Sequence, residues 1–239
     1  LKNGGSCLWR SLPQNGRMKL ETEDQSKIVC FAKDEYGTVV ARERHVDDFI
    51  EHTSIEIFDK DNKLVGNMII EERIYHMCVG SDLIAMAGEK ILYMSNREGK
   101  AKSRKGYDSS ITCLAYCDKT KQLAVGLYNN EIRIFVNRTR KLTLRTTAGV
   151  LSIDIDGKNL VASSMYIVKK WKLEGTNVER LEFNLPVKQV AIEGDTTLVL
   201  LRNGEMRKYE KFSDPLTLTD QCMGTIAISK DYIIHDIDH

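Results

Sequence analysis

Along this chain the apolar positions come in short runs rich in Val, Ile and Leu, each cut off within a few residues by Gly, Asn or Asp. Runs this short and so often punctuated read as strands joined by turns. Lys27–Ala32, Leu83–Ala87, Gln122–Val125, Glu131–Phe135, Leu160–Ser163 and Thr197–Leu201 are predicted strands. No segment shows the apolar stripe of an amphipathic helix.

The runs belong to a repeat. Its unit is an apolar strand, a tight turn, a second apolar strand, and an alternating strand that closes on a large ring or sulfur side chain. The clearest copy is Ser110–Tyr116, Gln122–Gly126 and Glu131–Phe135, followed by Val150–Ile155, Asn159–Ser163 and Ile167–Trp171. A third is Val187–Ile192, Thr197–Leu201 and Glu205–Tyr209. The closing residues are Trp9, Phe58, Met94, Phe135, Trp171 and Tyr209, at intervals of 49, 36, 41, 36 and 38 residues. Joining the C-terminal remainder after Tyr209 to the residues up to Trp9 supplies one more interval, of 39.

A four-stranded sheet has two apolar faces and two edges that it cannot cover alone. Radial packing of successive sheets covers the faces, provided the last is fastened to the first. The expectation is therefore an all-β, six-bladed β-propeller over residues 1–239. Gly224–Ser229 and Tyr232–Asp236 would be completed by Ser6–Arg10 and Arg17–Thr22, so that both termini share one blade. A β-sandwich has similar strand spacing but no reason to repeat at about 40 residues.

In period and architecture, and over its whole length, the sequence resembles the WD-repeat propellers. Phe58-Asp59 approximates the Trp-Asp dipeptide; the other closing residues are followed by Arg10, Ser95, Val136, Lys172 and Glu210, and no Gly-His pair opens a repeat. The resemblance is to a divergent member. It implies a platform for macromolecular assembly, with the connection between second and third strands on the usual docking face.

Bulk composition adds limits. Lys and Arg number 35 against 34 Asp and Glu, so only local clustering can point to a nucleic-acid partner. No stretch approaches the roughly 18 apolar residues of a membrane helix, and neither a membrane nor a small-molecule substrate is expected as partner. Leu1–Ser6 lack the order of a signal peptide, and a chain beginning on Leu leaves room for residues upstream. The six cysteines (7, 30, 78, 113, 117 and 222) fall partly inside apolar runs and read as reduced core residues. The expected location is the cytoplasm or nucleus rather than outside the cell.

No Gly-x-Ser-x-Gly elbow, phosphate-cradling loop or Cys-x-x-Cys pair occurs, and Cys113 and Cys117 on one strand would stand about 13 Å apart. The chain is expected to be no enzyme and to need no cofactor or metal. His45, Asp47, Asp48, Glu51 and His52 form a cluster of candidate ligands, but they lie in the one overlong interval and read as a solvated insertion. Within it Val46, Asp48, Phe49, Ile50 and Glu51 offer an apolar anchor in a charged rim, the pattern of a protein-binding loop.

Basic residues gather in two places. Arg97, Lys100, Lys102, Arg104 and Lys105 surround the third-to-fourth-strand turn of one predicted blade. Arg138, Arg140, Lys141 and Arg145 occupy that region of the next, with Lys119 and Lys121 in its first turn. A propeller brings these to one sector, which would grip the phosphates of structural RNA by counterion release or merely protect strand edges. The leading expectation is a scaffold contacting other proteins of a multi-subunit assembly. An RNA-docked propeller is the alternative, and a ring enzyme or metal protein comes third.

Overall fold

The computed structural model describes residues 27–46, 49–174, 178–212, 215–219, 226–229 and 232–235. These form 22 strands and no helix, so none of them crosses a membrane as a helix. The chain divides into two compact units, Leu1–Asp108 and Ser109–His239.

In the first unit, β1 (Lys27–Asp34), β2 (Gly37–Val46), β3 (Phe49–Asp59) and β4 (Leu64–Ile70) make an antiparallel meander in sequence order. β5 (His76–Val79), β6 (Ile84–Ala87), β7 (Ile91–Ser95) and β8 (Ala101–Gly106) make a second. Period-two alternation sends Val39 and Ala41 of β2, and Ile55 and Ile57 of β3, to one face, and the register sets Val39 opposite Ile57 and Ala41 opposite Ile55. That face packs with Cys30, Ala32 and Ile70 against Met77, Ile84 and Met86 of the second sheet.

The Phe58-Asp59 pair has a local purpose. Asp59 Oδ1 accepts the backbone N–H groups of Asp61 and Lys63, both at 2.9 Å, and closes the β3–β4 turn around Asn62 at φ 59°. Asn96 caps the β7–β8 turn alike, accepting from Glu98 at 3.2 Å and Lys100 at 3.1 Å around Gly99 at φ 76°.

His76, on β5, is enclosed by this unit, and its Nδ1 has no hydrogen-bond partner among the described residues. Burial lowers its pKa from 6.5 to about 4. The unfolded chain therefore binds the proton first, and the stability gained by keeping the ring neutral is complete above pH 6.5 and is lost as pH falls towards 4. At pH 5 the expected loss is about 2 kcal/mol. Urea midpoints at pH 7.5 and 5.0 for wild type and His76→Asn check this; equal losses in both proteins would assign the acid sensitivity elsewhere.

The second unit continues the pattern. Its first sheet is β9 (Ile111–Cys117), β10 (Gln122–Leu127), β11 (Glu131–Val136) and β12 (Thr139–Arg145). Next come β13 (Ser152–Ile155), β14 (Asn159–Ser163), β15 (Ile167–Lys172) and β16 (Val178–Glu182). A third comprises β17 (Val187–Glu193), β18 (Thr196–Leu201), β19 (Met206–Glu210) and β20 (Pro215–Thr219). β21 (Ile226–Ser229) and β22 (Tyr232–His235) pair as a two-stranded sheet. Leading strands lie side by side: β9 by β13, β13 by β17, β17 by β21. Phe135, Trp171 and Tyr209, the closing residues of three repeats, are buried. The β11–β12 hairpin turns on Asn137 and Arg138, both at positive φ, as a two-residue primed turn requires.

Between β13 and β17 runs a ladder of side chains onto backbone. Ser152 Oγ accepts the N–H of Val190 at 3.1 Å, Asp154 Oδ2 that of Ile192 at 2.9 Å, and Asp156 Oδ2 that of Gly194 at 2.9 Å. Each donor lies 38 residues beyond its acceptor, one repeat length. β17 is the edge of its sheet, and these residues satisfy N–H groups that no strand reaches.

The architecture is thus all-β and propeller-like, with five four-stranded antiparallel sheets and a two-stranded one among the described residues. The strands expected at Ser6–Arg10 and Arg17–Thr22 lie outside the described residues.

Candidate functional site

The overlong interval is not an irregular insertion. The sequence suggests that β2 ends near Arg42 and β3 begins near Ser54, yet pairing continues through Arg44 opposite His52, His45 opposite Ile50 and Val46 opposite Phe49. A β-bulge falls between Arg44 and His45. The described part of β1 reaches only to Lys27 opposite Glu43, and the pairing of β4 ends at Thr53 opposite Ile70. Among the described residues, then, the sheet narrows beyond Glu43 and Thr53 to a two-stranded arm.

The foot of the arm is held by polar contacts. Glu43 is fully buried and its Oε1 lies 2.7 Å from Nε of Arg73, which comes from the β4–β5 connection. Thr53 Oγ1 donates to the carbonyl of Glu72 at 2.7 Å, and Arg42 Nε donates to Glu56 Oε2 at 2.9 Å. A carboxylate out of water favours a cation held beside it, so this ion pair ties the β4–β5 connection to the foot of the arm.

Of the residues singled out for partner contact, Val46, Phe49, Ile50 and Glu51 have their backbone on this arm, and their side chains lie outside the described set. Asp48 lies outside the described residues altogether, as does Asp47 of the ligand cluster. Among the described residues no three His, Cys, Asp or Glu side chains gather to hold a metal ion. Cys30, Cys78, Cys113 and Cys117 are buried and form no disulfide. Burial pushes the Cys113 thiol up to about 12, which makes it packing rather than a nucleophile.

The basic residues fall on the expected elements but in different surroundings. Arg97, in the β7–β8 turn, is engaged inside the first unit. It pairs with Asp34, donates Nε to the Gly80 carbonyl at 2.9 Å and lies over the Tyr36 ring at 5.4 Å. This clamps the second sheet to the β1–β2 turn, a structural duty that competes with gripping a phosphate. Lys100 pairs with Glu98 at 3.0 Å and Lys121 with Asp118 at 2.9 Å. On β8, Arg104 is exposed beside Tyr93, Lys105 is partly buried, and the Lys102 side chain lies outside the described set. In the second unit Lys119, Arg140 and Lys141 are exposed, and Arg138 is partly buried in its turn.

No family model matches the chain, and no curated protein matches it. Among solved structures it is similar to the computationally designed Ika8 protein, with a TM-score of 0.72 at 10% identity over 89% of this chain and 68% of that one. It is also similar to the computationally designed Ika4 protein, with a TM-score of 0.53 at 9% identity over 59% of this chain and 92% of that one. At such identities the likeness is one of fold alone.

Proposed function

We propose that the chain is a six-bladed propeller of the WD-repeat type, closed by strands from both termini. On this reading it serves as a non-enzymatic scaffold for other proteins of a multi-subunit assembly, with the β2–β3 arm as its contact element. The observation that carries the functional reading is the arm itself. β2 and β3, of 10 and 11 residues, outrun every other described strand, and their paired ends extend from a foot where Arg73 pairs with the buried Glu43. Such an element meets a partner already ordered, which spares part of the entropy cost of binding.

Six-blade closure draws support from each unit separately. Leu144 and Leu181 pack partly buried against the core of the following sheet, while Leu218, another 37 residues on, is exposed. Its neighbour Leu216 is 60% exposed. In the first unit, Ile70 and Met68 of β4 face the core, and Val65 and Ile69 on the opposite face are exposed. These are the two outer-strand faces that a terminal blade covers in a closed ring.

The test is to trim Val46–Glu51 to a short Gly-containing turn and compare affinity capture from the native cell. Folding should hold within about 1 kcal/mol, because loop length is cheap to change. Recovery of protein partners should fall at least about tenfold. Unaltered recovery removes the arm from the interface. The second reading, an RNA-docked propeller, has in its favour the exposed Arg140 and Lys141 of β12 with Lys119 in the same unit. Partners lost after nuclease treatment and kept after trimming would favour it.

A further inference from the structure

The two ends of the second unit differ in chemistry. At one end lie the β10–β11, β14–β15 and β18–β19 turns with the β12–β13 and β16–β17 connections; at the other lie the remaining turns. Every exposed large apolar side chain on a described turn or connection of this unit is at the first end: Tyr128, Leu151, Met165 and Tyr166. At the other end the described turns expose instead Lys119, Lys158, Glu174, Asp195 and Lys211.

The four residues follow one continuous line. The Tyr128 ring lies against Gly149, where an added Cβ would stand 3.3 Å from it. Val150 N–H donates to the Leu127 carbonyl at 3.2 Å, and Leu151 N–H to Ser163 at 2.8 Å, so the β12–β13 connection ties the Tyr128 turn to the β14–β15 turn. From there Met165 and Tyr166 carbonyls accept the N–H groups of Val187 at 2.8 Å and Phe183 at 2.9 Å. These backbone bonds hold the apolar side chains on a rigid base.

The charge around them is uneven. Among the described residues of the second unit, the acids at this end are Glu131, Glu182 and Glu205, each within 3.1 Å of an arginine, Arg133, Arg180 and Arg207. Lys188 and Arg202 add two exposed cations, and a third, Arg145, lies 3.7 Å from Glu131. We infer that this end of the second unit docks an acidic peptide segment that carries apolar side chains, its Leu or aromatic residues on the Tyr128–Tyr166 line and its carboxylates towards Arg202 and Lys188. This deepens the scaffold reading by naming a partner chemistry, and it rests on residues of the second unit, none of them in the arm.

A displayed library of linear peptides of about 12 residues, selected on the immobilised full chain, tests it. The enriched sequences should be net negative with Leu, Phe or Trp. By fluorescence anisotropy they should bind the Tyr128→Ala/Tyr166→Ala variant at least about tenfold more weakly. Arg202→Glu should weaken them by about fivefold and reduce the salt dependence. Melting should stay within about 2 °C, since these side chains are exposed. No enrichment, enrichment of neutral or basic peptides, or equal binding to the double variant overturns the inference; so does tighter binding of single-stranded RNA that these substitutions abolish. Peptide binding should survive trimming of the arm. Loss of native partners on trimming, without any peptide enrichment, would therefore sink this inference and leave the scaffold reading standing.

Discussion

Asp154→Ala is expected to lower stability by about 3 kcal/mol and the melting temperature by roughly 10 °C. The carboxylate is buried on β13 and accepts two backbone N–H groups, Ile155 at Oδ1 and Ile192 at Oδ2, both at 2.9 Å. Ala leaves both donors without this acceptor, and each lost bond to a charged group costs about 1.5–3 kcal/mol. Relief from burying a charge offsets part of that sum. Asn keeps one oxygen but turns an N–H2 group towards the other donor, so Asp154→Asn should fall between wild type and Ala. Ser152→Ala, which gives up a neutral acceptor, should cost about 1 kcal/mol. Denaturant titration of the four proteins decides it. An Asp154→Ala protein no less stable than Ser152→Ala would show that the ladder is incidental to the packing of the two sheets.

That ladder marks where sequence reading stopped. Val150–Ile155 reads as an apolar strand, as β13 confirms, and its alternate polar residues Ser152 and Asp154 were visible there. Their partners were not, because side chain to backbone bonds one repeat away have no signature in the donors. Strands covered on both sides were legible for the opposite reason: burial imposes apolar runs, and β10, β14 and β18 begin within a residue of their predicted starts. The β2–β3 arm broke this logic. Among the described residues the arm has no sheet neighbours to impose alternation, so His45 to His52 reads as a solvated insertion although Arg44 pairs with His52, His45 with Ile50 and Val46 with Phe49. Arg97 failed similarly. Among Lys100, Lys102 and Arg104 it looks like one more surface cation, and its partner Asp34 is 63 residues away. Asp59, by contrast, has its whole role within four residues, and the same local motif at Asn96 could have been read directly.

Deleting residues 1–24 should cost at least about 3 kcal/mol or turn the protein into an aggregate. On the proposed closure, strands from residues 6–22 cover Leu216 and Leu218 of β20 and Val65 and Ile69 of β4, and they pair with the short β21–β22 sheet. Each such side chain is worth about 1.5–3 kcal/mol when fully taken from water, and half that credit for four of them gives about 3–6 kcal/mol. The deletion would also bare a strand edge beside apolar faces, the surface that native sheets protect against self-association. Leu218→Asp in the full chain separates closure from mere exposure. If Leu218 faces water, the charge should change stability by less than about 0.5 kcal/mol; if the terminal strands lie over it, the cost should exceed about 2 kcal/mol. Sedimentation and melting of both proteins are the readouts. A monomeric deletion variant with unchanged melting overturns closure by these residues. A damaging Leu218→Asp beside a harmless deletion would mean that something other than residues 6–22 covers β20.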